Sequence, residues 1–207
     1  MFPSFQLYYI TDRRQIKSRT LEACLTGAIT AGVDWVQIRE KDLPARSLLA
    51  LTEAALEQAR RQGQTRVMVN DRLDVALAAQ AHGVHLGTRS MPANVVRKLA
   101  PRDFVVGVSC HSLEEALAAQ AGGADYILLG PIFETPSKLP YGPPLGLDKL
   151  REVTSQISIP VFALGGITLD RVSPCRQNGA AGIAGIRLFQ DCDSVEKLVR
   201  ELRAQSS

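Results

Sequence analysis

The segment "QIREKD" places Gln37, Arg39 and Lys41 within five residues, followed by Asp42. A guanidinium fork and an ammonium beside an amide suit phosphate oxygens. Taken alone, "REKD" reads more simply as a solvated charged loop. In "NDRLD", Asn70 adjoins Asp71. A carboxylate beside an amide suits a Mg²⁺ ligand plus a substrate-reading group, because Mg²⁺ takes a few carboxylate or phosphate oxygens and keeps its waters. The competing role is a helix cap. In "VSCHS", Ser109, Cys110 and His111 invite a nucleophile reading. Adjacent residues rarely face one another, and no third orienting group is identifiable, so a triad is discounted.

Further along, "GPIFETPSKLPYGPPLG" carries Thr135, Ser137 and Lys138, with five prolines and three glycines shaping it without regular structure. Such a segment fits a loop folding over a site. "LGGIT" offers Gly165-Gly166, where a backbone can come close to a ligand, and "GIRLFQ" offers Arg187. "VHLGTRSMPA" contains Arg89 and Ser90 and is open to three readings: a metal, a phosphate or nothing. His85 lies inside an apolar run and reads as a satisfied core imidazole. Cations thus recur at several places, with one carboxylate, Asp71, among them. The combination suits two separate phosphate-bearing groups and one divalent ion, and no acid–base pair of the kind a simple isomerase needs stands out.

These residues follow short apolar runs: "LYYI", "DWVQI", "RVMVN", "GVHL", "FVVGVS", "DYILLG", "PVFAL" and "AGIAGI". Unbroken, β-branched-rich runs fit strands buried on both faces, as in a parallel sheet. Helical spacing lies between them. Pro44 and Gly63 bracket one helix, Ser112 and Glu115 fit a capping box, and Thr168 and Gly179 bracket a third that Pro174 would bend or shorten. A last helix starts near Asp193-Ser194. Eight alternations predict an α/β fold, a (β/α)8 TIM barrel, as one domain over residues 1–207, with a doubly wound open sheet as the rival. The length is near the short limit for a barrel, so helices and loops must be compact. The polar residues would then share the C-terminal face of the barrel.

Composition agrees with a soluble globular protein. The chain is 45% hydrophobic and 22% charged, with 24 Lys and Arg against 21 Asp and Glu. A net charge of +3 gives no case for nucleic acid. Four scattered cysteines, Cys24, Cys110, Cys175 and Cys192, show no metal-ligand spacing and read as reduced thiols of a cytoplasmic protein. The N-terminus lacks a signal-peptide pattern, and no apolar segment approaches the roughly 20 residues of a membrane span. Oligomeric state stays open, a homo-oligomer included.

The ordered set "QIREKD", "VNDRLDVALAAQAHGVHLG", "GVSCHSLEEALAAQAGGADYILLGPIFETPSK" and "PVFALGGIT" resembles the thiamine-phosphate synthase/TenI family from about Leu7 to Phe189. The resemblance implies a barrel that joins hydroxymethylpyrimidine diphosphate to a thiazole phosphate, releasing diphosphate with Mg²⁺. It also implies residue roles. Gln37, Arg39, Lys41, Asn70, Ser109 and Lys138 would hold the pyrimidine diphosphate, and Asp71 would bind Mg²⁺. Thr135, Ser137, Gly166, Ile186 and Arg187 would hold the thiazole phosphate. Three departures matter. The synthases usually have an acidic second metal ligand near Arg89-Ser90 and Ser at the position of Arg187. The TenI thiazole tautomerases are associated with a His where this chain has Pro131. Synthase activity leads, with tautomerisation of the thiazole phosphate or non-catalytic binding of a phosphorylated ligand as alternatives. Arg89 is expected to replace some of the charge that the absent metal ligand would recruit.

Overall fold

The computed structural model describes residues 4–63, 65–135 and 143–205. Its centre is a closed barrel of eight parallel strands in sequential order. They are β1 (Gln6–Ile10), β2 (Trp35–Ile38), β3 (Arg66–Asn70), β4 (Gly83–Leu86), β5 (Val105–Cys110), β6 (Tyr126–Leu129), β7 (Val161–Leu164) and β8 (Gly182–Gly185). Pairing of Tyr8 with Ala184 on one side and Trp35 on the other closes the ring. Helices α1 (Leu21–Thr30), α2 (Ala45–Gln62), α3 (Leu73–Ala78), α4 (Ala93–Leu99), α5 (Leu113–Ala121), α6 (Gly146–Gln156), α7 (Val172–Gln177), α8 (Arg187–Gln190) and α9 (Val195–Gln205) lie between and after the strands. No helix among the described residues is long and apolar enough to cross a membrane.

The unbroken apolar runs have a physical cause. Alternate residues face opposite ways along a strand, and both faces are buried. Leu7, Val36, Val67, Val84, Ile127 and Ile183 meet the helix layer. Tyr8, Trp35, Met68, Tyr126 and Phe162 form a separate cluster and fill the barrel. Four of those rings pack at centroid separations of 5.2–5.9 Å, each pair adding about 0.5–1.5 kcal/mol to its burial. Small residues accommodate them: a Cβ at Gly107 would collide with the Tyr126 ring.

The helix signals hold with local changes. Pro44 sits at the N-cap of α2, and Gly63 ends it at φ 85°, the left-handed conformation glycine favours. Ser112 Oγ accepts from the Glu115 N–H at 3.2 Å. The Glu115 carboxylate, however, accepts from the His111 N–H at 2.6 Å instead of returning to Ser112, so the box closes one residue early. Thr168 makes no cap: its hydroxyl donates to Asp170, and a 3₁₀ turn over Leu169–Arg171 precedes α7. Pro174 falls in the first turn of α7, where its missing N–H costs no helical bond. Compactness is achieved as the length requires, with α3 of 6 residues and α4 of 7.

Replacing Gly107 with Ala forces a methyl group against Tyr126. Urea unfolding should show a loss of about 1–3 kcal/mol. A variant as stable as the parent would contradict the packing described.

Candidate active site

Above the aromatic layer, the strand ends surround a cavity of about 460 Å³. Ile10, Leu128 and Leu164, each two residues beyond Tyr8, Tyr126 and Phe162, belong to its wall. Around them stand Gln37, Arg39, Lys41, Asn70, Ser109, Thr135, Gly166, Ile186 and Arg187. Nine residues singled out in the sequence from six strand ends therefore meet in one place. Asp71 and Arg89 are exposed and outside this lining, although their neighbours Asn70 and Thr88 belong to it. Ser137 and Lys138 lie outside the described residues.

The loop after β2 divides its charges by alternation. Arg39 and Lys41 line the cavity, while Glu40 and Asp42 turn to Arg13. Buried Glu40 accepts from the Arg13 backbone N–H at 3.1 and 3.2 Å and from its guanidinium at 3.0 Å. Asp42 accepts from the same Arg13 Nη1 at 2.8 Å and from Nη2 at 2.7 Å, which holds its carboxyl down at about 2. "REKD" is thus neither a free loop nor wholly a binding element. Its acids tie the β2 end to the segment after β1, and its cations line the cavity. Arg39 is positioned twice more: its N–H donates to buried Thr11 Oγ1 at 2.9 Å, and its guanidinium lies 3.5 Å from Asp12.

The opposite wall is made by the glycine pair. Gly165 and Gly166 have φ of 95° and 64°. A Cβ on either would strike this chain's own Pro131, Phe133 or Glu134. The sequence suggested that these glycines let a ligand approach closely. The structure adds a nearer reason, because the loop after β6 packs against them. Arg171 Nη1 donates to Gly166 O at 2.6 Å and its guanidinium lies 4.6 Å from the Phe133 ring centroid, fixing this corner. Arg187 opens α8, a short helix that the apolar pattern did not foretell, and donates to Thr135 Oγ1 at 3.2 Å.

At β3, Asp71 adopts φ 65°, uncommon for a side-chain-bearing residue and most tolerable for Asp and Asn. Its N–H donates to His85 O at 2.9 Å. Its carboxylate has no hydrogen bond or ion pair among the described residues, because Arg72 turns to Asp74. It is no helix cap: Arg72 precedes α3, and no side-chain cap bond forms there. At β4, Ser90 Oγ accepts from the Gly87 N–H at 2.8 Å and closes the turn, so that hydroxyl is committed to the backbone.

At β5, the discounted triad is absent for a clear reason. Ser109 faces the cavity while Cys110 packs in the helix-side core, fully buried, its thiol pushed up to about 12 by burial. Such a thiol is unreactive. Sequence reasoning did not single out Asp12, Tyr8 or Tyr126. It also left His85 as packing alone, yet His85 lines the cavity. His85 Nε2 meets Ser109 Oγ at 2.8 Å and Nδ1 meets the Tyr126 hydroxyl at 3.2 Å. Burial, with Arg39 nearby, lowers its pKa to about 3. The available signal was period two: in "LYYI" one tyrosine must face inward, and its hydroxyl then needs a partner.

A closed parallel barrel with cations and amides gathered over its C-terminal strand ends defines a TIM-barrel protein with a cavity at that face. The chain belongs to the thiamine monophosphate synthase (TMP-TENI) family, whose model matches residues 7–189. A Geobacter sulfurreducens relative, provisionally named a thiamine-phosphate synthase, is 52% identical over 93% of this chain and 91% of its own. The thiamine-phosphate synthase of Methanocella arvoryzae is 41% identical over 97% and 94%. The solved thiamine phosphate pyrophosphorylase of Pyrococcus furiosus superposes with a TM-score of 0.88 at 35% identity, covering 98% of this chain and 95% of that one.

The neutral, buried state of His85 has a signed consequence for stability. Above an unfolded-state pKa of about 6.5 both states are neutral and the residue contributes no pH dependence. From there down to about 3, the unfolded chain takes up a proton that the folded chain refuses. Stability then falls with pH by up to about 1.4 kcal/mol per unit. His82, whose pKa is lowered by burial and by Arg66, acts in the same sense. Denaturation between pH 6.5 and 5.5 should show this slope, and His85→Gln should make it shallower. An unchanged slope in the variant would refute the assignment.

Proposed function

We propose that this chain is a thiamine-phosphate synthase, joining hydroxymethylpyrimidine diphosphate to a thiazole phosphate with release of diphosphate. The observation that carries the proposal is the convergence of Gln37, Arg39, Lys41, Asn70 and Ser109 with Gly166, Ile186 and Arg187 around one cavity. Two anionic substrates need two sets of donors, and alignment of the reacting atoms converts a bimolecular step into an effectively unimolecular one.

In this reading Arg39 and Lys41 take the diphosphate, whose departure is the demanding step. Leaving-group charge is best met by donors already in place, and Arg39 is fastened by Thr11 and Asp12 before any ligand arrives. Asn70 and Ser109 meet the pyrimidine part. Gly166, Ile186, Thr135 and Arg187 meet the thiazole phosphate, and Arg187 supplies a side-chain cation there. The thiazole nitrogen then bonds to the carbon that diphosphate leaves. No protein nucleophile is required, which suits a site whose thiol is buried and whose buried imidazole stays neutral.

The residues fit a Mg²⁺ ion held sparingly. Among the described residues no three His, Cys, Asp or Glu side chains gather into a metal cluster. Mg²⁺ nevertheless commonly takes one or two carboxylates and completes its shell with phosphate oxygens and water. Asp71, with an uncommitted carboxylate beside the cavity residue Asn70, is the group that would hold it. When bound, the ion would neutralise charge on the diphosphate. Arg89 stands one residue beyond Thr88 at the rim, where its charge would reach a bulky anion rather than line its pocket. Tautomerase activity has less support: Pro131, at the end of β6, offers no proton-transfer group.

Purified protein given both substrates and Mg²⁺ should form thiamine phosphate. Arg39→Ala should lower kcat/KM about 10²–10³-fold with thermal stability little changed. Absence of product from the parent protein at high concentration would overturn the proposal.

A further inference from the structure

Five polar groups from five strands form one continuous hydrogen-bonded chain beneath the cavity. Gln37 Nε2 donates to the Tyr8 hydroxyl at 3.2 Å. The Tyr8 and Tyr126 hydroxyls are 2.8 Å apart. Tyr126 meets His85 Nδ1 at 3.2 Å, and His85 Nε2 meets Ser109 Oγ at 2.8 Å. Tyr8, Tyr126 and His85 are buried, at 0%, 0% and 2% exposure, with His85 also touching the cavity wall. The two ends, Gln37 and Ser109, both line the cavity.

Each buried member has one hydrogen to donate. Burial keeps both phenols protonated and the imidazole neutral. The Tyr8 oxygen already accepts from the Gln37 amide, so the Tyr8 hydrogen must go to Tyr126. The Tyr126 hydrogen then goes to His85 Nδ1. The one imidazole hydrogen is therefore on Nε2 and goes to Ser109 Oγ. Ser109 is left with its own hydrogen for the cavity. At the other end, Gln37 Oε1 has no partner among the described residues and is not one of the sealed, unpartnered atoms. Breaking any link would strand a buried polar group, and linked bonds reinforce one another.

We propose that Tyr8, Tyr126 and His85 act as positioning residues, a one-directional relay that makes Gln37 an acceptor and Ser109 a donor toward a planar nitrogen heterocycle. With the Gln37 amide donating to Tyr8, the two ends offer opposite polarity. A ligand carrying both an N–H donor and a ring-nitrogen acceptor, such as an aminopyrimidine, matches such a pair. A ring with only acceptors does not. The identity of that ring rests on the synthase reading; the polarity of the relay does not.

The experiment reads the His85 tautomer by ¹⁵N NMR of histidine-labelled protein without ligand, with signals assigned from His82→Gln and His111→Gln spectra. The relay requires a neutral Nε2–H imidazole at pH 6. An Nδ1–H tautomer, or a protonated ring, overturns it. In the same protein, Tyr126→Phe should raise KM for the pyrimidine diphosphate about tenfold and leave KM for the thiazole phosphate unchanged. An equal change in both, or none, also overturns it. Because the tautomer is read on the parent protein without substrate, it decides the relay even if that protein makes no thiamine phosphate, the outcome that would sink the synthase reading instead.

Discussion

The inward-facing half of eight short strands has to fill the barrel, and here Tyr8, Trp35, Tyr126 and Phe162 do most of it. Those four rings set the depth of everything above them. The next inward layer, Ile10, Leu128 and Leu164, already belongs to the cavity wall. Two of the fillers are tyrosines, and their hydroxyls are buried completely. A buried hydroxyl must find a partner, and these find Gln37 and His85. The packing of the barrel and the polar floor of the site are therefore one arrangement. Removing a hydroxyl from it would leave the ring packing largely intact while disturbing what the cavity offers a ligand.

Alternation does the second part of the work. Past β2 it sends Arg39 and Lys41 to the cavity and Glu40 and Asp42 to Arg13. The exposed pairs in this cluster contribute little to stability by themselves. Their consequence is positional: they secure the segment after β1 against the β2 end, and Asp12 and Thr11 in that segment hold Arg39. At β5 the same rule separates Ser109 from Cys110, giving the cavity a hydroxyl and the core an inert thiol.

Much of this was legible in the residues. Unbroken apolar runs place every strand to within about a residue or two, because a strand buried on both faces has no polar alternative. Polar residues just beyond the runs identify the cavity wall for the same topological reason: parallel strands bring all their C-terminal ends to one face. What escaped was of two kinds. Charges that satisfy each other across loops, such as Arg13 with Glu40 and Asp42, depend on a closure that no local pattern reveals. Polar groups inside strand runs, Tyr8, Tyr126 and His85, read as packing because their neighbours are apolar. Their hydrogen-bonding role follows only once the strand partners are known. Helix α8 escaped as well, being 4 residues long and too short for a periodic signal.

In the proposed synthase, one cavity over the strand ends receives both reaction partners. A crystal structure of the protein with thiamine phosphate and diphosphate bound tests that directly. The pyrimidine ring should lie between Gln37 and Ser109, diphosphate should meet Arg39 and Lys41, and the thiazole phosphate should rest against Gly166, Ile186 and Arg187. Ligand density elsewhere, for instance in the surface groove between α2 and α3 lined by Glu57 and Arg60, with the central cavity empty, would contradict it.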